Sequence, residues 1–418
     1  MVVDEFGKEF LRLCDGSRKV NEIVELLGDK SEFADIQQEE VMEFVSSLVN
    51  AGFLRTSPMS LEKIERNSAL VQVYLHLTHG CNLRCKHCHV SAGTPYEREM
   101  SDKRILALID EISEMEPEEL IITGGEPFLR KKLLYNVVEK AKNNGIQKVG
   151  VETNGTLITD EDASFFKKYS VKVGVSLDGT NPKSNDFIRG KGAFNKAITG
   201  IKHLIRKDVY VNIAMALMRP NLSEAETMVK FAAKLGAKQV TLNTVVMKGR
   251  ARHYPQLNVP LSEVGAVVKK AWKTAREVGI RTNVDEFLSQ LKGGMKKYSC
   301  GAGVNILSID ANGDVYPCNF FVGGPLKAGN VYDRSLKKVL EESPLIKEFR
   351  NLSVLDTECR DCELRFICAG CPAESFEVYG DLKKRTPWCS LRKEITWSVI
   401  NKLAHELWEK MQNNPTSI

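Results

Sequence analysis

The sequence predicts an α/β fold, a partial (β/α)6 barrel with a small winged-helix-like helical module before it and a cysteine-rich domain after it. Three observations predict this. Between about 70 and 290, six β-rich runs alternate with amphipathic helical runs, a pattern that argues for a parallel sheet or a partial barrel. Before residue 58 the apolar residues recur with a helical period. Beyond about 295 the alternation stops, and seven of the eleven cysteines fall between 300 and 389. The expected domains are therefore 1–58, 68–292 and 293–418.

The first domain reads as three short helices. Phe6, Phe10 and Leu13 share one face; Val20, Ile23, Val24 and Leu27 repeat at helical spacing, as do Val41, Phe44, Val45 and Leu48, and Gly52 stands near a C-cap position. Cys14, on the apolar face of the first helix, reads as a core residue. A winged helix suggests DNA, but residues 1–58 hold six Lys/Arg against twelve Asp/Glu, a net charge of −6 that phosphates would repel. No nucleic acid partner is expected.

In the second domain the predicted strands are "LVQVYLHLT", "ELIITGG", "KVGVETN", "VKVGVSLDG", "VYVNIAMALM" and "QVTLNTVV". Helical runs such as "SDKRILALIDEISEM" and "KKLLYNVVEKAKNNG" lie between them, the latter stopped by Gly145. Reactive sites of such sheets lie at the carboxyl ends of the strands. A last helix, "CSLRKEITWSVINKLAHELWEKM", is expected to close the chain.

Composition narrows the function class. The whole chain carries only +5, far from a strongly basic nucleic-acid binder. No apolar run reaches membrane-spanning length, and "MVVDEFGKEFLRLCDG" lacks the order of a signal peptide, so a cytoplasmic location is expected. Cysteines there stay reduced, and their clustering points to metal or catalysis before disulfides.

The tightest cluster, Cys81, Cys85 and Cys88 in "THGCNLRCKHCHV", follows the first strand. A structural zinc site wants four closed ligands, with His79, His87 and His89 as candidates for the fourth. The other reading is a 4Fe–4S cluster with one iron open to a substrate or cofactor.

"CNLRCKHC" resembles the C-x3-C-x-Φ-C signature of the radical SAM enzymes, with His87 at the usually aromatic position. "ITGGEPFL" resembles that family's GGE motif, and "SLDG" and "IRGKGAF" resemble the segments that contact the ribose and carboxylate of S-adenosylmethionine (SAM). The resemblance implies a SAM-binding 4Fe–4S cluster on Cys81, Cys85 and Cys88. It implies SAM contacts from Gly124, Gly125, Glu126, Thr153, Asn154, Ser176, Asp178 and Arg189. Glycines at a strand end allow close approach of a ligand, and Glu126 would place charge near the SAM ammonium group.

The later cysteines resemble the SPASM domain, with two residues rather than the usual three between Cys368 and Cys371. The resemblance implies two auxiliary 4Fe–4S clusters, one on Cys300, Cys318 and Cys371 with no fourth thiolate visible, the other on Cys359, Cys362, Cys368 and Cys389. A zinc ribbon is the alternative for "CRDCELRFICAGC".

"EFLRLCDGSRKVNEIVELL" and "EEVMEFVSSLVNAGFL" resemble the helical part of the peptide-recognition domain of pyrroloquinoline quinone (PQQ) biosynthesis. The strands that normally precede it are not visible, which leaves a degenerate module or one paired with a separate leader-binding partner. Together these resemblances imply a radical SAM/SPASM maturase that modifies a peptide or protein side chain, by a thioether or carbon–carbon crosslink or another oxidation. Its electron donor would be a low-potential ferredoxin or flavodoxin. The alternative is modification of a haem precursor or other small cofactor, with Arg250 and Arg252 of "VMKGRAR" meeting its carboxylates. A non-catalytic iron–sulfur regulator would make no use of the SAM motifs. Asn319 follows Cys318 where the sulfatase-maturing branch has an acidic residue, and an amide is no general base, so that branch is disfavoured.

Overall fold

The computed structural model describes residues 5–14, 17–29, 37–50, 54, 69–285 and 300–400, the last stretch without 363, 369 and 399. The expected boundaries at 58, 68 and 292/293, the Gly52 cap and the end of the last helix beyond 400 lie outside the described residues. Residues 389–398 are helical.

The N-terminal module is three helices, α1 (Glu5–Leu13), α2 (Val20–Gly28) and α3 (Gln38–Asn50). Phe6, Phe10, Ile23, Leu27, Val41 and Val45 form its buried core, and Cys14 packs against it as a core residue. The helical spacing in the sequence is what aims these side chains at one another.

All six predicted strands form: β1 (Gln72–His76), β2 (Glu119–Thr123), β3 (Lys148–Thr153), β4 (Lys172–Ser176), β5 (Val211–Leu217) and β6 (Gln239–Thr244). Between them run α4 (Asp102–Ser113), α5 (Lys131–Asn143), α6 (Asp160–Lys168), α7 (Pro182–Arg189), α8 (Ala193–Arg206) and α9 (Ala225–Leu235), followed by α10 (Leu261–Glu277). Ser101 caps α4 by accepting from the Arg104 amide. Past α5 the chain turns at Gly145, whose φ of +91° is strained for residues with a Cβ.

The sheet is larger than predicted. It has ten strands in the order β10-β9-β8-β1-β2-β3-β4-β5-β6-β7, with β7 (Arg281–Thr282), β8 (Ile306–Ile309), β9 (Asp314–Tyr316) and β10 (Gly329–Asn330). β8 pairs in parallel with β1, Tyr74 opposite Ser308, so the first strand of the cysteine-rich domain extends the barrel sheet. β9 and β10 then add antiparallel strands. Sequence alternation misses these additions because β7 and β10 have two residues each and β9 has three.

The helices cover one face of the sheet. Val73, Leu75 and Leu77, then Leu120 and Ile122, Val149 and Val151, Val173 and Val175 all point into a single core with Ile105, Leu108, Val137 and Leu204 of the helices. Each fully buried aliphatic side chain there contributes roughly 1.5–3 kcal/mol. The alternate residues, Gln72, Tyr74, His76, Glu119, Glu152, Ser176 and Asn212, face the other, inner side, as the two-residue period of a strand requires. One-sided helical cover is the layout of a barrel and not of a doubly wound sheet.

Candidate active site at the carboxyl edge of the sheet

The loop with Cys81, Cys85 and Cys88 leaves β1 at the carboxyl edge and is closed on itself. Cys81 N donates to Gly93 O at 2.8 Å, and Gly93 N donates to His79 O at 2.9 Å. Two neighbours then clamp it. From the end of β2, Gly125 N donates to Thr78 O (2.7 Å) and Glu126 N to Gly80 O (2.8 Å). From the segment after β6, Arg250 N donates to Cys88 O (3.0 Å), its Nε to Cys85 O (2.9 Å) and its Nη1 to Ala92 O (2.8 Å).

These contacts revise two expectations. A Cβ on Gly125 would lie 2.1 Å from Gly80 O, and one on Gly124 would lie 2.5 Å from Thr78 O. The close approach that the glycines permit is therefore that of the chain's own cysteine loop, whatever ligand also comes near. Arg250 does not present its guanidinium to a carboxylate substrate, because loop carbonyls use it, and Arg252 is bound to Glu377.

Backbone amides aim at the sulfurs: Leu83 N lies 3.4 Å from Cys81 Sγ, and Ala92 N lies 3.3 Å from Cys88 Sγ. Such donors stabilise thiolates and tune a cluster held by them. Burial pushes the Cys85 thiol up to about 11. Charge on these sulfurs thus needs cationic iron to balance it, and the donor set fits such a group. None of the eleven cysteines is in a disulfide. Among the described residues, no group of three or more His, Cys, Asp or Glu side chains is arranged to hold a metal ion. A 4Fe–4S cluster differs from a single ion in giving each thiolate its own iron.

The expected SAM residues gather around this loop. Thr153 Oγ1 donates to Glu126 Oε1 (2.7 Å), Asn154 N to Glu126 Oε2 (2.8 Å) and Phe128 N to Glu126 Oε1 (3.2 Å). Fully buried, Glu126 has its carboxyl pushed up to about 7 by desolvation despite these donors. Its side chain ties the ends of β2 and β3 together. Asn154 Nδ2 reaches Asn82 Oδ1 at 2.8 Å, with Cys81 Sγ at 3.9 Å. Ser176 ends β4 on the inner face.

Asp178 and Arg189 form a buried pair. Arg189 Nε lies 2.7 Å from Asp178 Oδ2 without hydrogen-bond alignment, and Arg189 Nη1 is 4.0 Å from Cys85 Sγ. Asp178 Oδ1 accepts from Ala216 N at 2.8 Å, while its Oδ2 faces His87 Nε2 at 3.5 Å. Asp178 is thus the anion that orients Arg189 beside the cysteine loop.

The later cysteines sort into two neighbourhoods. Cys300, Cys318 and Cys371 share a small core with Ala302, Tyr316, Phe321 and Phe349. Burial pushes the Cys318 thiol up to about 12, with Cys300 adding to it, and Cys371 is raised further by burial, Glu374 and Cys300. Cys359 is raised by burial and by Cys389 and Cys368. Leu364 N points at Cys362 Sγ at 3.4 Å. An open pocket is lined by Cys300, Cys359 and Cys371. Lys248, from the segment after β6, donates to Phe320 O (2.6 Å) and Val322 O (2.8 Å) and so ties the two domains together.

Sequence reasoning missed the inner-face polar residues. Glu152 is reached by solvent yet walled in by protein, and burial with neighbouring Glu119 pushes its carboxyl up to about 7. His76 and Asp310 meet at the carboxyl edge of β1 and β8. The strand period could have placed His76, but only the β1–β8 pairing brings Asp310 beside it.

Comparison with known proteins agrees with this architecture. A family described as the radical SAM superfamily matches residues 75–232, an iron–sulfur cluster-binding domain (SPASM) matches 300–363, and coenzyme PQQ synthesis protein D matches 1–54. The mycofactocin maturase MftC of Mycolicibacterium smegmatis is 31% identical over 341 residues, 79% of this chain and 86% of that protein. An AdoMet-dependent heme synthase of Oleidesulfovibrio alaskensis is 29% identical over 342 residues, 75% of this chain and 85% of the other. Streptococcus suis SuiB bound to the precursor peptide SuiA superposes with a TM-score of 0.63 at 16% identity, covering 89% of this chain and 82% of that one. The chain belongs to the radical SAM superfamily and is an enzyme that uses a 4Fe–4S cluster with SAM and, in its SPASM domain, auxiliary iron–sulfur clusters.

Proposed function

We propose that this enzyme is a maturase of a ribosomally made peptide or protein, acting in the cytoplasm on a side chain that it crosslinks or otherwise oxidises. The observation that carries the reading is the N-terminal module, a packed three-helix unit whose match to the PQQ synthesis protein D family points to a peptide partner. The names of MftC, a maturase, and of SuiB, bound to a precursor peptide, support it. The heme synthase relatives support the alternative, a haem precursor. Its carboxylates would need free cations, and Arg250 and Arg252 are engaged by Cys85, Ala92 and Glu377.

In this reading Cys81, Cys85 and Cys88 hold the SAM cluster. Cys300, Cys318 and Cys371 hold one auxiliary cluster, and Cys359, Cys362, Cys368 and Cys389 hold the other. Held by Cys81, Cys85 and Cys88 and reduced by a ferredoxin or flavodoxin, such a cluster would supply reductive cleavage of SAM and hence the radical chemistry on the substrate. Gly124, Gly125, Glu126, Thr153, Asn154, Ser176, Asp178 and Arg189 are the SAM-binding residues of this reading. The domains divide at 1–58, 68–292 and 293–418.

The test is anaerobic incubation of the iron-reconstituted enzyme with SAM, dithionite and candidate precursor peptides, read by mass spectrometry. Loss of two hydrogens from a peptide is the expected result. An unchanged peptide together with conversion of a haem precursor would overturn the reading.

A further inference from the structure

One polar cluster has no part in the reading so far. His76, at the carboxyl end of β1, is on the inner face, since Val73, Leu75 and Leu77 face the helices. It is 3% exposed. Its Nε2 lies 2.7 Å from Asn319 Oδ1, next in sequence to Cys318, and its Nδ1 lies 4.0 Å from Asp310 Oδ1. Asp310 is 2% exposed and accepts from Tyr96 OH at 3.0 Å and from its neighbour Ala311 N at 2.8 Å. Tyr96 in turn stacks on His79 of the cysteine loop at 4.1 Å. A histidine and a carboxylate are thus held together between the SAM loop and the Cys318 segment.

We propose that His76, backed by Asp310, is the base that takes the proton released when the peptide substrate is oxidised. The proposal rests on the maturase reading. Loss of two hydrogens from a substrate requires one hydrogen atom, taken by the SAM-derived radical, and then one electron and one proton from the resulting carbon radical. An auxiliary iron–sulfur centre held by the later cysteines would accept the electron, and the imidazole would take the proton.

The geometry suits that role. Asn319 Oδ1 accepts the proton on Nε2, which leaves Nδ1 as the basic nitrogen. A proton added at Nδ1 would turn the 4.0 Å approach to Asp310 into an ion pair. Burial lowers the affinity of His76 for a proton, against the pull of Asp310 and Asn319, and so keeps the ring neutral and able to accept. The other groups near this pair are His79, His89 and Tyr96 from the cysteine loop, Ser308 from β8, Asp314 and Tyr316 from β9, and Lys248 from the segment after β6. His89 is the rival base, but Lys248 beside it opposes a positive charge, whereas His76 has a carboxylate to balance one. Asn319, an amide, cannot serve.

The test compares wild type with His76→Gln and Asp310→Asn, each reconstituted to full iron content and given SAM, dithionite and a precursor peptide that wild type modifies. His76→Gln can still donate to Asn319, and Asp310→Asn can still accept from Tyr96. The expected result is deoxyadenosine release within about twofold of wild type, with product per deoxyadenosine down at least about tenfold. In His76→Gln the fall of product yield toward acid pH should also disappear. An unchanged product-to-deoxyadenosine ratio in both variants would overturn the proposal. A parallel loss of iron and deoxyadenosine in both would overturn it too, assigning the pair a structural role. If wild type leaves every peptide unmodified, the maturase reading fails first, and the proposal with it.

Discussion

The cysteine loop after β1 and the cysteine block at 353–389, to which the proposed reading assigns the same kind of cofactor, sit in very different frames. Residues 78–93 are tied by backbone hydrogen bonds to one another, to the end of β2 and to the segment after β6. That frame belongs to a sheet whose helix-facing side is a continuous apolar core. Among the described residues, the later block has the short 3-10 helix Val354–Asp356, the four-residue helix Arg365–Cys368, the helix Pro372–Tyr379 and turns such as the one at Gly370, φ +69°. The difference teaches that the sheet preorganises the cysteine loop, whereas the later block, in the proposed reading, would lean on its metal, whose binding free energy would then be folding free energy.

Chemistry should separate the two regions most. Cys81→Ser is expected to stop deoxyadenosine formation from SAM by more than about a thousandfold, about 4 kcal/mol of barrier. Cys359→Ser should leave that cleavage within about tenfold while cutting substrate oxidation. Chromatography of anaerobic reactions gives both numbers. Equal losses in the two variants would break the comparison.

Iron removal comes next. Chelation under anaerobic conditions should expose 353–389 to a protease at least about tenfold faster, while sites in 69–285 stay protected, because local opening follows local stability. Equal cleavage of both regions would mean that the sheet too depends on its metal.

The clamp itself can be broken by one methyl group. Gly125→Ala, whose Cβ would lie 2.1 Å from Gly80 O, should cost about 3 kcal/mol and lower iron loading at Cys81, Cys85 and Cys88. Gly150→Ala, with its nearest new contact at 3.6 Å, should cost less than about 1 kcal/mol. Chemical denaturation and iron analysis distinguish the two.

The smallest effect concerns the inner face. Glu152 titrates near 7 in the folded chain, against about 4.5 ordinarily, so the folded state holds a proton that the unfolded chain has released. Its contribution to stability is therefore present below about 4.5 and is lost as pH rises to about 7. Thermal melts of Glu152→Gln should lack that slope. Solvent reaches this side chain, so the change will be modest.

Much of this was legible in the residues. Alternating Val and Ile runs marked β1 to β6 because each strand buries one face, and the spacing of Cys81, Cys85 and Cys88 marked a ligand set because thiolates must converge. Gly124 and Gly125 were legible as a close approach, but not as an approach of the loop that carries the cysteines. Arg250 was read as a substrate contact because nothing local shows that the carbonyls of Cys85 and Ala92 lie within its reach.

By itself, then, the sequence determined the periodic elements and the order of the family-matched regions, which depend on neighbours a few residues apart. Only the tertiary structure decided that β8 joins β1, that Glu126 and Asp178 serve the protein's own backbone and side chains, and that His76 meets Asp310 across 234 residues. Those outcomes depend on which strand edges pair and which buried donors find acceptors, and no local period encodes a contact between distant parts of a chain.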